Sequence, residues 1–410
     1  MIDFQQAIDQ VAETGGGRVS VPAGTHLTGA LRLRSGVELH LEAGAVLRFV
    51  PDPELYPPVE ARWEGVARTV HSPCLYAADA HDVAITGLGT IDGQGSPWWD
   101  LQRNHRDQLA YPRPTLIGLH GCDRVRIEGV RLTDSPAWTV HPALCNDVSV
   151  TGVRIDNPAD SPNTDGIDPE SCTNVRISDC HIDVGDDCIA IKAGTEGTPT
   201  RVACENVVIT GCTMVHGHGG VVLGSEMSGG IRNVAISNCV FQSTDRGIRM
   251  KTRRGRGGLV ENVRVTGVVM DDVLCPVTLN PFYFCGPDGK EPHVGDRSAL
   301  PVDGGTPAFR GLHLSHLSAT RVRASAGHVY GLPEAPIEDL TIDDLDVHFA
   351  EDPEPGTPEM ATGLEPVIRE GLRLGNVSGG GLTRVRVVGA DGPVLLAEGT
   401  EDVELDVRER

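Results

Sequence analysis

Three aspartates carry the clearest chemistry in this 410-residue sequence. Asp165 lies in Asn163-Thr164-Asp165-Gly166. Asp186 follows 21 positions later in Gly185-Asp186-Asp187. Between them Val175-Arg176-Ile177-Ser178 alternates like a strand, and similar strands recur on both sides. If each repeat is one turn of a coil, Asp165 and Asp186 become neighbours on adjacent turns, since strands of one sheet lie about 4.8 Å apart. Paired carboxylates on a rigid frame can hydrolyse a glycosidic bond with inversion. A protonated acid serves the leaving oxygen, and a carboxylate roughly 6.5–9.5 Å away activates water on the opposite ring face. Three crowded carboxylates suit this, because like charges in contact make one keep its proton near neutral pH. Asp186 is read as the acid, and Asp165 and Asp187 as the pair that activates water. Strict alternation would point Asp186 and Asp187 to opposite faces, so the Gly185 turn or a bulge must redirect one. The plainer reading makes these residues turn formers. It suits either cluster alone better than two in register.

Further polar groups continue the register. His218 stands in Gly217-His218-Gly219-Gly220, 31 positions after Asp187, and Arg249 stands 31 positions after His218. Each position follows the second strand-like run of its turn, so the five side chains are expected in one stripe along the outside of the coil. His218 is read as orienting a carboxylate or the sugar, not as the main acid; a purely structural histidine is the alternative. Arg246, Arg249, Lys251, Arg253, Arg254 and Arg256 fall within eleven residues of a chain with 35 Lys and Arg against 57 Asp and Glu. A basic island in so acidic a protein reads as a binding feature. Arginine clamps carboxylates bidentately, which points to a sugar acid. Arg249 and Lys251 are read as the binders, and Arg254 and Arg256 as part of a solvated, Gly-rich loop. Asn163, Lys192 and Glu226 are further candidate contacts.

The elements that must position these groups repeat. The unit is a polar or Cys residue, then Asn, Asp or Arg, then Val-x-Ile/Val and a small residue. Its aligned valines are Val125, Val148, Val175, Val207, Val234 and Val263, with gaps of 23, 27, 32, 27 and 29. Such a period with β-branched alternation predicts an all-β parallel β-helix, a single-stranded solenoid. No period has room for a crossover helix. Residues 3–14 predict an amphipathic cap, with Asp3 and Gln6 as a capping box and Phe4, Ile8 and Val11 on one face. Gly15-Gly16-Gly17 ends it, so the helical N-terminal cap spans 1–17. Residues 51–73 form an excursion, and 367–410 are expected to be irregular closing turns of one domain over 1–410. Insertions at 93–115, 156–171, 193–203, 276–308 and 351–366 would wall a groove. The first carries Trp98, Trp99, Arg103, Arg106 and Arg113; the fourth carries Phe282, Tyr283, Phe284, Lys290 and His293. Their aromatics are expected to be exposed and to suit sugar rings, with Tyr283 the substrate contact singled out. Their basic residues could grip a terminal carboxylate.

The net charge of −22 argues against nucleic acid and against an anionic membrane surface. No run approaches 18 apolar residues. Of the eleven cysteines, many recur at one strand-start position (Cys122, Cys145, Cys172, Cys204), which predicts a buried column of thiols and no disulfide framework. No Cys-x-x-Cys pair suggests zinc; no metal or cofactor is called for. The chain opens without a basic stretch leading into an apolar one. The expectation is a cytoplasmic protein as given, or a secreted one if an upstream segment precedes residue 1.

With these residues in place, the chain resembles the pectin-hydrolysing polygalacturonases, glycoside hydrolase family 28. The family's four signatures appear in order as Asn163-Thr164-Asp165, Gly185-Asp186-Asp187, Gly217-His218-Gly219 and Arg249-Met250-Lys251. Met250 is the one departure, where the family carries Ile. The resemblance implies a right-handed parallel β-helix and inverting hydrolysis of α-1,4-galacturonosidic linkages. It implies Asp186 as general acid, Asp165 and Asp187 as activators of water, His218 as a supporting residue, and Arg249 and Lys251 as binders of galacturonate. The run Gly219–Gly230, with Gly224-Ser225-Glu226 inside it, resembles the bacterial exo-acting branch. The partner implied is an acidic oligo- or polysaccharide containing galacturonate. Rhamnogalacturonan and xylogalacturonan hydrolases of the same family, a calcium-dependent pectate lyase, and a non-catalytic carbohydrate-binding solenoid are the alternatives. Oligomeric state is left open.

Overall fold

The computed structural model describes residues 3–409. The strands are predominantly parallel and wind as a right-handed β-helix, with a helix at the N-terminal end. The chain divides into two compact units, residues 1–190 and 191–410.

The first unit opens with the helix Phe4–Glu13, one residue inside each expected limit. The Asp3 side chain accepts from the Gln6 amide at 2.9 Å, which satisfies one otherwise orphaned donor of the first turn. Phe4 and Ile8 are buried. The valine column then holds through the coils: Val83, Val125, Val148 and Val175 are register partners, all buried. Each burial contributes roughly 1.5–3 kcal/mol. The residue before each valine is left-handed, with φ of 53° at Asp82, 57° at Arg124, 54° at Asp147 and 60° at Asn174. Asn and Asp tolerate that conformation better than other residues with a Cβ. This is the physical reason for the Asn/Asp position in the sequence repeat: the chain turns the same corner in every coil.

The corner opens the first strand of each coil, as in Asp123–Glu128, and a second strand follows that one, as in Arg131–Thr133, Arg154–Asp156 and His181–Val184. A third ladder runs through Leu75–Ala78, Ile117–His120 and Val140–Ala143, and continues by single parallel bridges to Ile167 and Ile189. The excursion at 51–73 contains an antiparallel hairpin, Pro58–Trp63 with Val66–His71. It is anchored by Trp63, stacked on Trp138 at 5.0 Å. The expectation for Trp98 and Trp99 is corrected. Both sit in the helix Ser96–Asn104 and are buried. Trp98 packs edge-on against Tyr56 at 5.3 Å, and Trp99 donates to the Ser135 carbonyl at 2.9 Å. They fasten the insertion down and offer no face to a sugar.

In the second unit Val207, Val234, Val263, Leu312 and Leu340 continue one column. The strands Arg246–Lys251, Cys275–Asn280 and Ser325–Tyr330 are buried at every position. One face meets the coil interior. The other is covered by the insertions at 276–308 and 351–366, which join through an antiparallel bridge between Tyr283 and Ala361. The irregular turns expected after 367 are instead mostly strand, with a register shift between Leu382 and Val385. Glu370–Val388 is a 19-residue strand, followed by Leu395–Glu401 and Glu404–Glu409. Gly371, Gly375 and Gly380 mark close approaches, where a Cβ would stand 2.1, 2.2 and 2.0 Å from a neighbouring atom. All eleven cysteines are free and ten are buried, Cys122, Cys145, Cys172 and Cys204 among them. The Cys122 amide donates to the Cys145 sulfur at 3.4 Å.

Candidate active site

The Asn163–Asp165 segment is held from beneath. Thr164 is fully buried, and its hydroxyl lies 2.5 Å from that of Ser161. Asn163 takes a left-handed φ of 53°. The Asp165 carbonyl accepts from the Thr139 amide at 2.8 Å, while the Gly166 amide donates to the Asp187 carbonyl at 3.0 Å. The segment is thus stitched between the strand Val140–Ala143 and the coil that carries Asp187. Glycine is required at two points. A Cβ on Gly166 would stand 2.3 Å from the Cys188 carbonyl oxygen, and one on Gly185 would stand 2.4 Å from that of Ser161.

Asp186 and Asp187 occupy a bend between His181–Val184 and Ile189–Ile191. There the Asp187 amide donates to Asp186 Oδ1 at 2.9 Å. The bend, not a bulge, removes the alternation problem. One carboxylate oxygen from each of Asp165, Asp186 and Asp187 lies within 4.8 Å of the other two. Asp165 is 3% exposed and Asp187 1%, with Asp186 half-buried. By spacing alone this cluster could hold a cation. Calcium takes six to eight oxygens, so three carboxylates binding through one oxygen each would need carbonyls or water to complete its shell.

Arg113 is 1% exposed and does not reach for a ligand, contrary to expectation. It donates to the carbonyls of Pro136 at 2.8 Å and Pro162 at 3.0 Å, and to Asn163 Oδ1 at 2.8 Å. Burial, helped by the charges of Arg103 and Arg106, pulls its guanidinium down to about 10, so it stays charged at neutral pH. Nothing local in the sequence marks this role, because the partners lie 23 to 50 positions away.

In the second unit His218 is half-buried in the bend between Thr213–His216 and Val221–Gly224. Arg249 and Lys251 lie inside the strand Arg246–Lys251, which follows the second strand of its coil, Val240–Gln242. Arg249 is sealed, with 0% exposure, and forms a bidentate pair with Glu359: Nε to Oε2 at 3.0 Å and Nη2 to Oε1 at 2.6 Å. Glu359 also accepts from the Thr278 hydroxyl at 2.9 Å. Burial pushes the Glu359 carboxyl up, but the Arg249 guanidinium outweighs it and holds it at about 2. Lys251 is 6% exposed. Arg249 and Lys251 both stand over the half-buried Tyr283, at 5.7 and 5.3 Å from its ring centroid. Lys192 lies 3.6 Å from Glu226. Burial opposes the charge on Glu226, but Lys192, then Arg256 and Lys251, hold it at about 2. The solvated reading of Arg254 and Arg256 is overturned: they are 4% and 3% exposed. Arg254 pairs with Glu334 at 2.6 Å and Arg256 with Glu196 at 3.5 Å.

The model of the glycosyl hydrolases of family 28 matches residues 14–295. The chain belongs to that family. Among curated relatives of this family-28 hydrolase, a protein named "Probable polygalacturonase" from Vitis vinifera is 36% identical over 85% of this chain and 70% of its own length. An endo-polygalacturonase from Pectobacterium carotovorum subsp. carotovorum is 31% identical over 68% of this chain and 71% of its own. Among solved structures, a hyperthermoactive exopolygalacturonase from Thermotoga maritima superposes with a TM-score of 0.74. It is 32% identical and covers 85% of this chain and 83% of that one. The hydrolase therefore carries its aspartate trio on the scaffold that its relatives use. Glu359, Glu196 and Glu334, which neutralise its basic strand and loop, had no signal in the sequence. Each is a single acid on a remote segment.

Proposed function

We propose that this hydrolase cleaves α-1,4 linkages between galacturonate units of pectic chains or their oligomers, with inversion, from chain ends. The single observation that carries the reading is the convergence of Asp165, Asp186 and Asp187 to within 4.8 Å. Asp186, the most exposed of the three, protonates the leaving oxygen. Asp165 and Asp187, deeper and tied through the Gly166 amide, hold and deprotonate the water. Lys251 binds the substrate carboxylate with Tyr283 beneath it, and His218, Lys192 and Asn163 orient the sugar. Arg249, already neutralised by Glu359, acts chiefly by fixing that strand.

The names of the relatives support a galacturonan substrate. On cleavage mode they divide, one similar structure being exo-acting and one similar sequence endo-acting. The joined insertions in the second unit favour the exo reading, because a covered strand face admits no continuous polymer. The nearest-oxygen spacing is shorter than the roughly 6.5–9.5 Å between carboxyls usual for inversion, so the anomer of the first product is a direct check. The deciding experiment is product analysis on polygalacturonate, oligogalacturonides, rhamnogalacturonan and xylogalacturonan. Steady release of monogalacturonate with little early loss of viscosity is expected. A ladder of mid-sized oligomers with a fast viscosity drop overturns the exo reading. An ultraviolet-absorbing unsaturated product overturns hydrolysis.

A further inference from the structure

The second unit contains a cavity of about 680 Å³ that the functional reading above does not use. It lies beside the strands Ser325–Tyr330 and Glu370–Val388, under the insertion at 351–366. Its volume is that of ordinary small-molecule sites. The lining mixes both charges with aromatic edges: Arg297, His328, Tyr330, Arg373, Asn376 and Glu398.

Two of these groups are not spent on the fold. The Arg297 guanidinium carbon stands over the Phe282 ring, 3.7 Å from its centroid. Among the described residues its guanidinium donates only to the Thr362 carbonyl, at 3.3 Å, and forms no ion pair, the Glu398 carboxylate acting on it from farther off. In this chain that is unusual, since Arg249, Arg253, Arg254 and Arg256 each have an acid partner. An unpaired guanidinium over a ring is prearranged for a planar anion. His328 is 2% exposed, and its Nδ1 has no hydrogen-bond partner. Buried polar atoms are rarely left so, because an unmade bond costs stability. Burial holds its imidazole down to about 4, so it is neutral near pH 7 and can exchange one hydrogen bond with a hydroxyl. Opposite charge is supplied differently. Glu398 accepts from the Tyr330 hydroxyl at 2.6 Å and Arg373 is held by Glu370. Acceptors and donors are thus interleaved, as the ring hydroxyls of a sugar require.

We propose that this cavity is a second, non-catalytic site for a uronic acid, its carboxylate on Arg297 and its hydroxyls among His328, Asn376 and Glu398. The choice of sugar rests on the functional reading; the preference for a small carboxylate-bearing polyol does not. One wall is Pro358, whose carbonyl accepts from Arg246 Nε at 3.0 Å and whose next residue is Glu359, the partner of Arg249. An occupant would therefore brace the segment that neutralises Arg249.

The test is calorimetric titration of the full chain with D-galacturonate and, separately, D-galactose. Wild-type protein is expected to show two galacturonate sites. Arg297→Ala is expected to weaken one of them at least tenfold and leave the other, while hydrolysis of digalacturonate stays within twofold of wild type. His328→Ala, if it folds, should weaken the same site and no other. Galactose should not fill it. Titration curves that superimpose for wild type and R297A overturn the proposal, as does equal filling by galactose. Failure of the wild-type enzyme to hydrolyse any galacturonan would sink the functional reading instead, and the titration would still decide the cavity.

Discussion

Arg249 and Glu359 are 110 positions apart in the chain and meet as a bidentate ion pair with no exposure on either side. The pair ties the strand Arg246–Lys251 to the insertion that covers it. Breaking a buried pair by removing one partner typically costs about 3–5 kcal/mol, because a desolvated charge is left behind. Glu359→Ala is therefore expected to lose about that much in denaturant unfolding. Arg249→Ala should show a similar loss of stability. A loss below about 1 kcal/mol in E359A would mean that the segment carrying Glu359 lifts away at little cost.

Acid should act through the same groups. Glu359 and Glu226 are held at about 2 against an ordinary value of 4.5. Between those values the unfolded chain binds more protons than the folded one. Their contribution to stability is thus full above about pH 4.5 and is lost as pH falls through about 2. Unfolding free energy measured across this window should decline with falling pH, and the decline should be shallower in Glu226→Gln.

Asp186→Asn is expected to lower kcat by about 10²–10⁴, the usual worth of positioned proton transfer, with folding and substrate affinity nearly unchanged. Near-normal turnover in a folded D186N protein would remove Asp186 from the acid's role.

Lys251→Ala separates substrate binding from architecture. It should raise KM on polygalacturonate by about tenfold, an exchange of a charge-assisted bond for none, and should affect highly methyl-esterified pectin less. Equal losses on both substrates would mark the residue as structural.

Arg113→Ala removes two hydrogen bonds from the turn that presents Asp165, to Pro162 and Asn163, and a third to Pro136. Its expected signature is a fall in kcat of at least about tenfold with a smaller change in KM, since a misplacement of about 1 Å can cost 10² in rate. Arg113→Lys should not restore it, because an ammonium cannot reproduce the fork that reaches Pro136, Pro162 and Asn163 together. Wild-type kcat in R113A would show that Thr164 and Ser161 hold the turn unaided.

What was legible in the sequence was local or periodic. The Asp3 cap, the valine column and the left-handed Asn/Asp corner each repeat a rule of backbone geometry, and the aspartate trio follows from that periodicity once the coils are stacked. What was not legible depends on unrelated segments meeting. Trp98 and Trp99 looked free because Tyr56 and Ser135, their partners, lie in other coils. Arg254 and Arg256 looked solvated because Glu334 and Glu196 sit 80 and 60 positions off. Residues 370–388 looked broken because glycine signals turns more often than it signals tight approach, and here Gly380 stands against Leu340.

The thiol column has a practical consequence. Cys122, Cys145 and Cys172 sit in successive coils of the first unit, as do Cys212 and Cys239 in the second, all reduced and all buried. A thiolate reagent reaches such a sulfur only when its own stretch of backbone opens. Labelling rates resolved by site would then act as a row of independent clocks, one per coil, timing how the solenoid unzips and from which end.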